Sequence, residues 1–204
     1  MATIRRIKVQ LRRKREGKTD YIKRKALLQS GQLRLVVRKS LNNITLQIIE
    51  PHQQGDKVIL SASTRELVKL GWKGSRGNLP AAYLAGLLLG KKAKQKKIAG
   101  CIADLGLYRS VKGSRLYAAL KGAVDSGLNV PVAKEVLPDE KRVNGSHIAN
   151  WAAKLKAEPA KYQKMFSGYL KQGIAPEMLA KHFEEIKKKL VEHSETNLSA
   201  SKAR

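Results

Sequence analysis

The sequence contains one cysteine, Cys101, in 204 residues. No internal disulfide can form, and cysteine usage gives no sign of an oxidising compartment. Acidic residues are scarce, with 16 Asp and Glu against 42 Lys and Arg. Two-metal hydrolysis needs several converging carboxylates, and the aspartates Asp20, Asp56, Asp125 and Asp139 fall on turns, a helix end and a connector. Asp104, at the end of an apolar stretch, therefore reads as a loop or helix-cap acceptor. The four histidines, His52, His147, His182 and His193, lack metal-ligand spacing, so neither a metal nor a cofactor is expected. Long apolar runs are absent too. The longest, Leu79 to Gly90, ends in Lys91-Lys92, well short of the roughly 20 residues a membrane helix requires. Met1 to Arg6 carries no charged-then-apolar targeting pattern, so the cytoplasm is the expected compartment.

What is present in excess is positive charge. The net charge is +26 and the pI about 10.4. Self-repulsion of that size opposes compaction, and a polyanion such as nucleic acid is the simplest compensation. Hydrophobic residues still make up 42%, enough for a core. The charge is clustered. Residues 1–40 hold 14 Lys and Arg against Glu16 and Asp20. Ile4, Ile7, Val9 and Leu11 give residues 1–18 little apolar surface to offset backbone entropy, so this stretch reads as an arm that a partner orders. A second run, Lys91 to Lys97, follows the apolar helix. Cations there complement the helix dipole, and with five lysines a phosphate contact is the competing explanation.

The patterning predicts an α/β protein. Asp20 caps a helix from Tyr21 to Leu28, closed by Gly31. Leu33, Leu35 and Val37 alternate with Arg34, Val36 and Arg38 as in a strand. Asn42-Asn43 suits a hairpin turn because Asn tolerates positive φ. Ile44, Leu46 and Ile48 form the return strand, and Val58 to Leu60 a third strand after the Gln54-Gly55-Asp56 turn. Ser63 or Thr64 caps a short helix through Leu70. Asn78 caps the apolar helix, with Pro80 in its first turn and Gly86 and Gly90 open to close approach by a sheet or a second helix. Ile98 to Leu105 reads as a buried strand, and 114–126 as an amphipathic helix stopped by Gly127. This order implies a mixed sheet with an antiparallel meander and packed helices. Three helical stripes follow the connector 128–144, on Ile148 to Leu155, Tyr162 to Tyr169 and Leu179 to Leu190. The expected organisation is a basic arm and first helix (1–30), an α/β core (31–130), a helical C-terminal extension (131–196) and a flexible tail (197–204).

No catalytic motif survives inspection. Gly71-Trp72-Lys73-Gly74 is not a Walker A loop, because Lys73 precedes Gly74 where that motif needs Gly-Lys-Ser/Thr. Its glycine amides, with Lys73 and Arg76, can still receive phosphate or simply make a turn. Of ten aromatic residues most lie on helical stripes; Tyr21 and Trp72 stand among cations, where base stacking and core packing compete. No RNP aromatic pair, zinc finger or leucine zipper occurs. Recognition is therefore expected to rest on the phosphate backbone and RNA shape. A nuclease using Asp104 and a nonspecific DNA-compacting protein are the competing readings.

Several blocks together resemble one family. Arg12-Arg13-Lys14-Arg15-Glu16-Gly17-Lys18-Thr19-Asp20-Tyr21 is similar to the N-terminal signature of the 5S rRNA-binding family of the large ribosomal subunit, numbered eighteen in bacteria and archaea and five in older eukaryotic naming. Arg34 to Ser40 with Asn42-Asn43 resembles its first hairpin, Asn78 to Leu89 its central helix, and Ala118 to Leu128 its last core helix. Met165-Phe166-Ser167-Gly168-Tyr169-Leu170 with Pro176-Glu177-Met178 resembles the C-terminal extension of the archaeal and eukaryotic long form. The absence of eukaryote-like insertions favours the archaeal type.

The resemblance implies a ribonuclease H-like translational-component fold without that enzyme's active site. It implies attachment of 5S rRNA to 23S rRNA in the central protuberance, beside neighbouring ribosomal proteins that include the other 5S-binding protein. No membrane and no homo-oligomer are involved. The RNA contacts it implies are Arg12, Arg13, Lys14, Arg15, Lys18, Thr19 and Tyr21 in the arm, Arg38, Lys39, Asn42 and Asn43 in the hairpin, and Lys73, Arg76 and Asn78 in the glycine loop. Arg109, Lys112 and Arg115 belong to a related but more variable stretch. The charge distribution adds Arg5, Arg6, Lys23, Arg24, Lys91 and Lys92.

Overall fold

The computed structural model describes residues 9–201, with side-chain surroundings as far as Val191. Arg5 and Arg6 lie outside the described residues. A single helical turn, α1 (Arg12–Arg15), leads to α2 (Tyr21–Gln29), whose first amides at Ile22 and Lys23 donate to the Asp20 carboxylate. Then come β1 (Arg34–Lys39), β2 (Ile44–Glu50), β3 (Lys57–Ser63), the short α3 (Glu66–Lys69), α4 (Leu79–Gln95), β4 (Ile102–Asp104) and α5 (Arg115–Asp125). The extension holds α6 (Glu140–Val143), α7 (Ser146–Leu155), α8 (Pro159–Lys171) and α9 (Leu179–Ser201). The sheet order is β3-β2-β1-β4, with the first three strands antiparallel and β4 parallel to β1. It is the mixed sheet with packed helices that the patterning predicts.

Alternation in β1 and β2 turns Leu35, Val37, Ile44, Leu46 and Ile48 onto one face, where they meet α4 and α5. Helix α4 runs against α5 at the distance that only glycine permits. A Cβ on Gly86 would land on the Ala119 carbonyl oxygen, and one on Gly122 on the Tyr83 carbonyl oxygen. The close approach expected of Gly86 is thus to a second helix. The other side of α4 is also covered, because Tyr83, Leu84 and Leu87 pack with Trp72, Phe183, Ile186 and Leu190. A helix that is apolar all round is one buried all round, and α9 supplies the second wall. A smaller cluster of Ala152, Leu155 and Phe166 joins α7 to α8.

Three local expectations are corrected. The strand predicted over 98–105 joins the sheet only at Ile102–Asp104, with Gly100 making an isolated bridge to Asn129 ahead of it. The Asp104 carboxylate accepts from the Gly106 amide, turning the chain out of the sheet, while Cys101 is buried just ahead of β4, its amide donating to the Asn129 carbonyl. Burial pushes its thiol up to about 11. The β1–β2 turn needs no positive φ at Asn42 or Asn43; among described non-glycine residues only Lys97 has one. Ser40 closes that turn instead, its amide and hydroxyl both donating to the Asn43 carbonyl. Neither Ser63 nor Thr64 caps α3. The Thr64 hydroxyl accepts from the Ile44 amide and stays with the sheet, leaving Arg65 at the cap position.

Candidate nucleic-acid interface

The face of β1 turned away from α4 and α5 carries Arg34, Val36 and Arg38. Loop 16–20 and α2 stand over it, and the loop after β4 borders it. Between them lies a cleft of about 420 Å³. Arg13, Lys18, Thr19, Lys23, Arg24, Arg34 and Arg38 line it together with the carboxylates Asp20, Asp56 and Asp104, with Val36 and Ile49 beneath and Leu105 to Tyr108 along one side. Six of the sequence-predicted contacts therefore converge here from three separate segments. Arg13 Nε donates to the Thr19 hydroxyl at 2.8 Å, which folds the arm back on itself. Lys18 pairs with Glu16 at 2.9 Å while remaining largely exposed. Arg12, Lys14 and Arg15 lie on the exposed surface of the same arm. Tyr21 is half-buried at the start of α2.

The cleft continues to the end of the sheet where the β1–β2 turn sits. The Tyr108 hydroxyl donates to the Lys39 carbonyl at 2.7 Å, and Lys39 Nζ lies 5.1 Å from the centre of the Tyr108 ring. Arg115 donates to the Gly77 carbonyl, and Gly77 packs close to the Leu41 and Asn42 carbonyls. Thus the hairpin tip, the 75–77 loop, the start of α5 and the loop bearing Arg109 and Lys112 form one edge. Arg109, Lys112 and Asn42 are exposed there, with Arg76 and Asn43 half-buried.

Other predicted contacts have protein partners. Asn78 caps α4 through its carbonyl oxygen, accepting from the Ala81 amide, and its amide group donates to the Tyr169 hydroxyl. In the loop expected to cradle phosphate, the Lys73 backbone amide donates to His182 Nε2 at 3.1 Å. The glycine loop is filled by Trp72, which stacks on His182 at 5.3 Å and is buried, so packing wins over base stacking there. Lys92 Nζ pairs with Glu66 at 2.6 Å and donates to the Ser61 carbonyl at 2.9 Å. Lys91 Nζ donates to the Leu190 carbonyl.

The charged network in the lining of the cleft was not expected. Arg24 makes a two-pronged pair with Asp56, both contacts at 2.9 Å. Asp56 also meets Arg34 at 2.8 Å, and Arg34 meets Asp104 at 3.0 Å. The Arg34 side chain is only 2% exposed. Burial works to raise the Asp56 carboxyl, but hydrogen bonds from the two guanidiniums hold it below the usual range. Pairing with Asp56 raises Arg24 in turn, against the opposing effect of burial. The one sequence signal for Arg34 was its place in the β1 alternation, on the face shared with Arg38. The same geometry answers the nuclease reading of Asp104. A guanidinium, that of Arg34, touches both Asp56 and Asp104, so these carboxylates are already engaged by a cation of the protein itself.

Cations outnumber carboxylates along this cleft and its rim, the charge balance that suits a polyanion-binding protein. Comparison with known proteins agrees. The model of the family described as ribosomal large subunit proteins 60S L5 and 50S L18 matches residues 5–100 and 91–133. The chain is 49% identical over 191 residues to the large ribosomal subunit protein uL18 of Methanococcus maripaludis, covering 94% of this chain and 99% of that one. The chain therefore belongs to the L5/L18 family of large-subunit ribosomal proteins. It is a structural component of the large subunit, not an enzyme, and works in the cytoplasm with the ribosome.

Proposed function

We propose that this protein binds 5S rRNA and attaches it to 23S rRNA in the central protuberance. The observation that carries this reading is the convergence of the arm, β1, the hairpin tip and the post-β4 loop around one cationic cleft and its continuation. Arg12 to Lys18, Lys23, Arg38, Lys39 and Asn42 supply the main phosphate and sugar contacts, with Arg76, Arg109 and Lys112 at the rim. Phosphate contacts of this kind position an RNA, and its shape supplies the selectivity. The C-terminal helices add contacts to rRNA or to a neighbouring ribosomal protein, the other 5S-binding protein lies beside this one, and the protein acts as a single copy.

Competition between 5S rRNA and duplex DNA at moderate salt tests the assignment. A strong preference for 5S rRNA is the expected result, with equal competition pointing to nonspecific DNA compaction. If about 8 phosphates are neutralised, log affinity falls with log salt at a slope of roughly −6 to −7. Binding insensitive to salt would remove the electrostatic mechanism.

A further inference from the structure

We propose that Asp56 and Arg34 are positioning residues for RNA binding, which clamp α2 to the sheet and so shape the cleft before RNA arrives. The proposal deepens the 5S rRNA reading and rests on it. Helix α2 has no buried residue, so apolar packing does little to hold it down. Its firm attachment is the two-pronged Arg24–Asp56 pair at 2.9 Å. Asp56 sits in the turn between β2 and β3 and is anchored by Arg34 at 2.8 Å, from the middle of the sheet. Arg34 reaches on to Asp104 at 3.0 Å, whose other oxygen accepts from the Gly106 amide at 2.9 Å. Gly106 begins the loop that carries Tyr108. One chain of contacts thus joins both walls of the cleft, α2 with Lys23 on one side and the post-β4 loop on the other.

The charges in this chain cancel. Two guanidiniums meet two carboxylates, within a protein of net charge +26. Arg24 thereby differs from its neighbour Lys23: both its terminal nitrogens already hold a carboxylate, so it shapes the cleft it lines. A buried guanidinium left without a partner is strongly unfavourable, which keeps the chain closed in the free protein. Setting the walls in advance lowers the ordering cost of association.

The test turns on a sign. Asp56→Asn makes the protein more positive, and electrostatics alone then predicts tighter binding to RNA. The clamp predicts the opposite, about tenfold weaker 5S rRNA binding with an unchanged log–log salt slope, because no phosphate contact is removed. Amide hydrogen exchange across residues 20–30 of the free full-length protein should quicken at the same time. Arg24→Lys keeps the charge but loses the fork; a few-fold loss with unchanged slope is expected. Wild-type or tighter affinity in Asp56→Asn overturns the proposal. Should that variant not fold, wild-type affinity in Arg24→Lys does so instead. If the unmodified protein shows no preference for 5S rRNA, the functional reading fails, and unchanged exchange in α2 of the variants then independently overturns the clamp.

Discussion

Two runs of basic residues, Arg12 to Lys18 and Lys91 to Lys97, look alike in composition and meet opposite fates in the fold. The first stands at the surface, and its only acid is Glu16, shared between Arg12 at 3.6 Å and Lys18 at 2.9 Å. Arg13 and Lys18 line the cleft. In the second run Lys91, Lys92 and Lys96 are tied to protein carbonyls, while Lys94 and Lys97 stay exposed. Lys92 and Lys96, one helical turn apart, donate to the Ser61 and Ile59 carbonyls of β3 at 2.9 and 3.1 Å. That strand ends the sheet, and an uncovered sheet edge invites pairing with another chain. The lysine spacing on the helix matches alternate carbonyls on the strand. Charge density alone therefore does not show which cations are free for a ligand; the two runs differ in how many ammonium groups protein oxygens already hold.

Deleting residues 1–18 is the harshest way to break this contrast. Affinity for 5S rRNA should fall at least 100-fold, about 2.7 kcal/mol, with a shallower salt slope. Thermal stability should hardly change, since residues 9–18 are exposed. Unchanged affinity would place the arm with the second run. Next in size is the double variant Lys92→Ala/Lys96→Ala. Loss of two hydrogen bonds to carbonyls should cost about 1–2 kcal/mol in denaturant unfolding, and sedimentation should show self-association through β3. The RNA salt slope should stay as it was; a slope shallower by about two would assign those lysines to phosphates.

The smallest effect concerns α9, tied to α4 where Lys91 donates to the Leu190 carbonyl and to the glycine loop where the Lys73 amide donates to His182. Burial lowers His182 below its ordinary 6.5, Glu185 opposes, and Lys73 and Lys189 push it further down. Its Nε2 can accept only while the ring is neutral. Because the unfolded chain takes up the proton more readily, this stabilisation is complete above about pH 6.5 and is lost as pH falls below it. Stability should therefore drop on acidification from pH 7.5 to 5.5, and less so in His182→Gln. The remainder comes partly from His147, which burial also lowers. An identical pH profile in the variant would show that His182 does not titrate in this window.

Much of the scaffold was legible in residue order. Asp20 and Asn78 cap the helices expected of them, and the β1–β2–β3 meander follows directly from alternation. Turn chemistry was less legible: the Asn42-Asn43 pair suggested positive φ, but Ser40 made that conformation unnecessary. The shortening of β4 depended on an Asp104 side chain that could equally have capped a helix. For the interface, the arm and hairpin cations were legible as charge. Arg34 was not, because its partners Asp56 and Asp104 lie 22 and 70 positions away and no local pattern links them.

The sequence by itself determined the excess of positive charge, the order of strands and helices, and that something approaches closely at Gly86. These follow from net charge, periodicity and the missing side chain of glycine, all local or additive quantities. Only the tertiary structure decided which cations are engaged by the protein and which face outward. That depends on carboxylates and carbonyls brought from distant parts of the chain, and an ion pair or hydrogen bond forms only where folding places its two ends within about 3 Å.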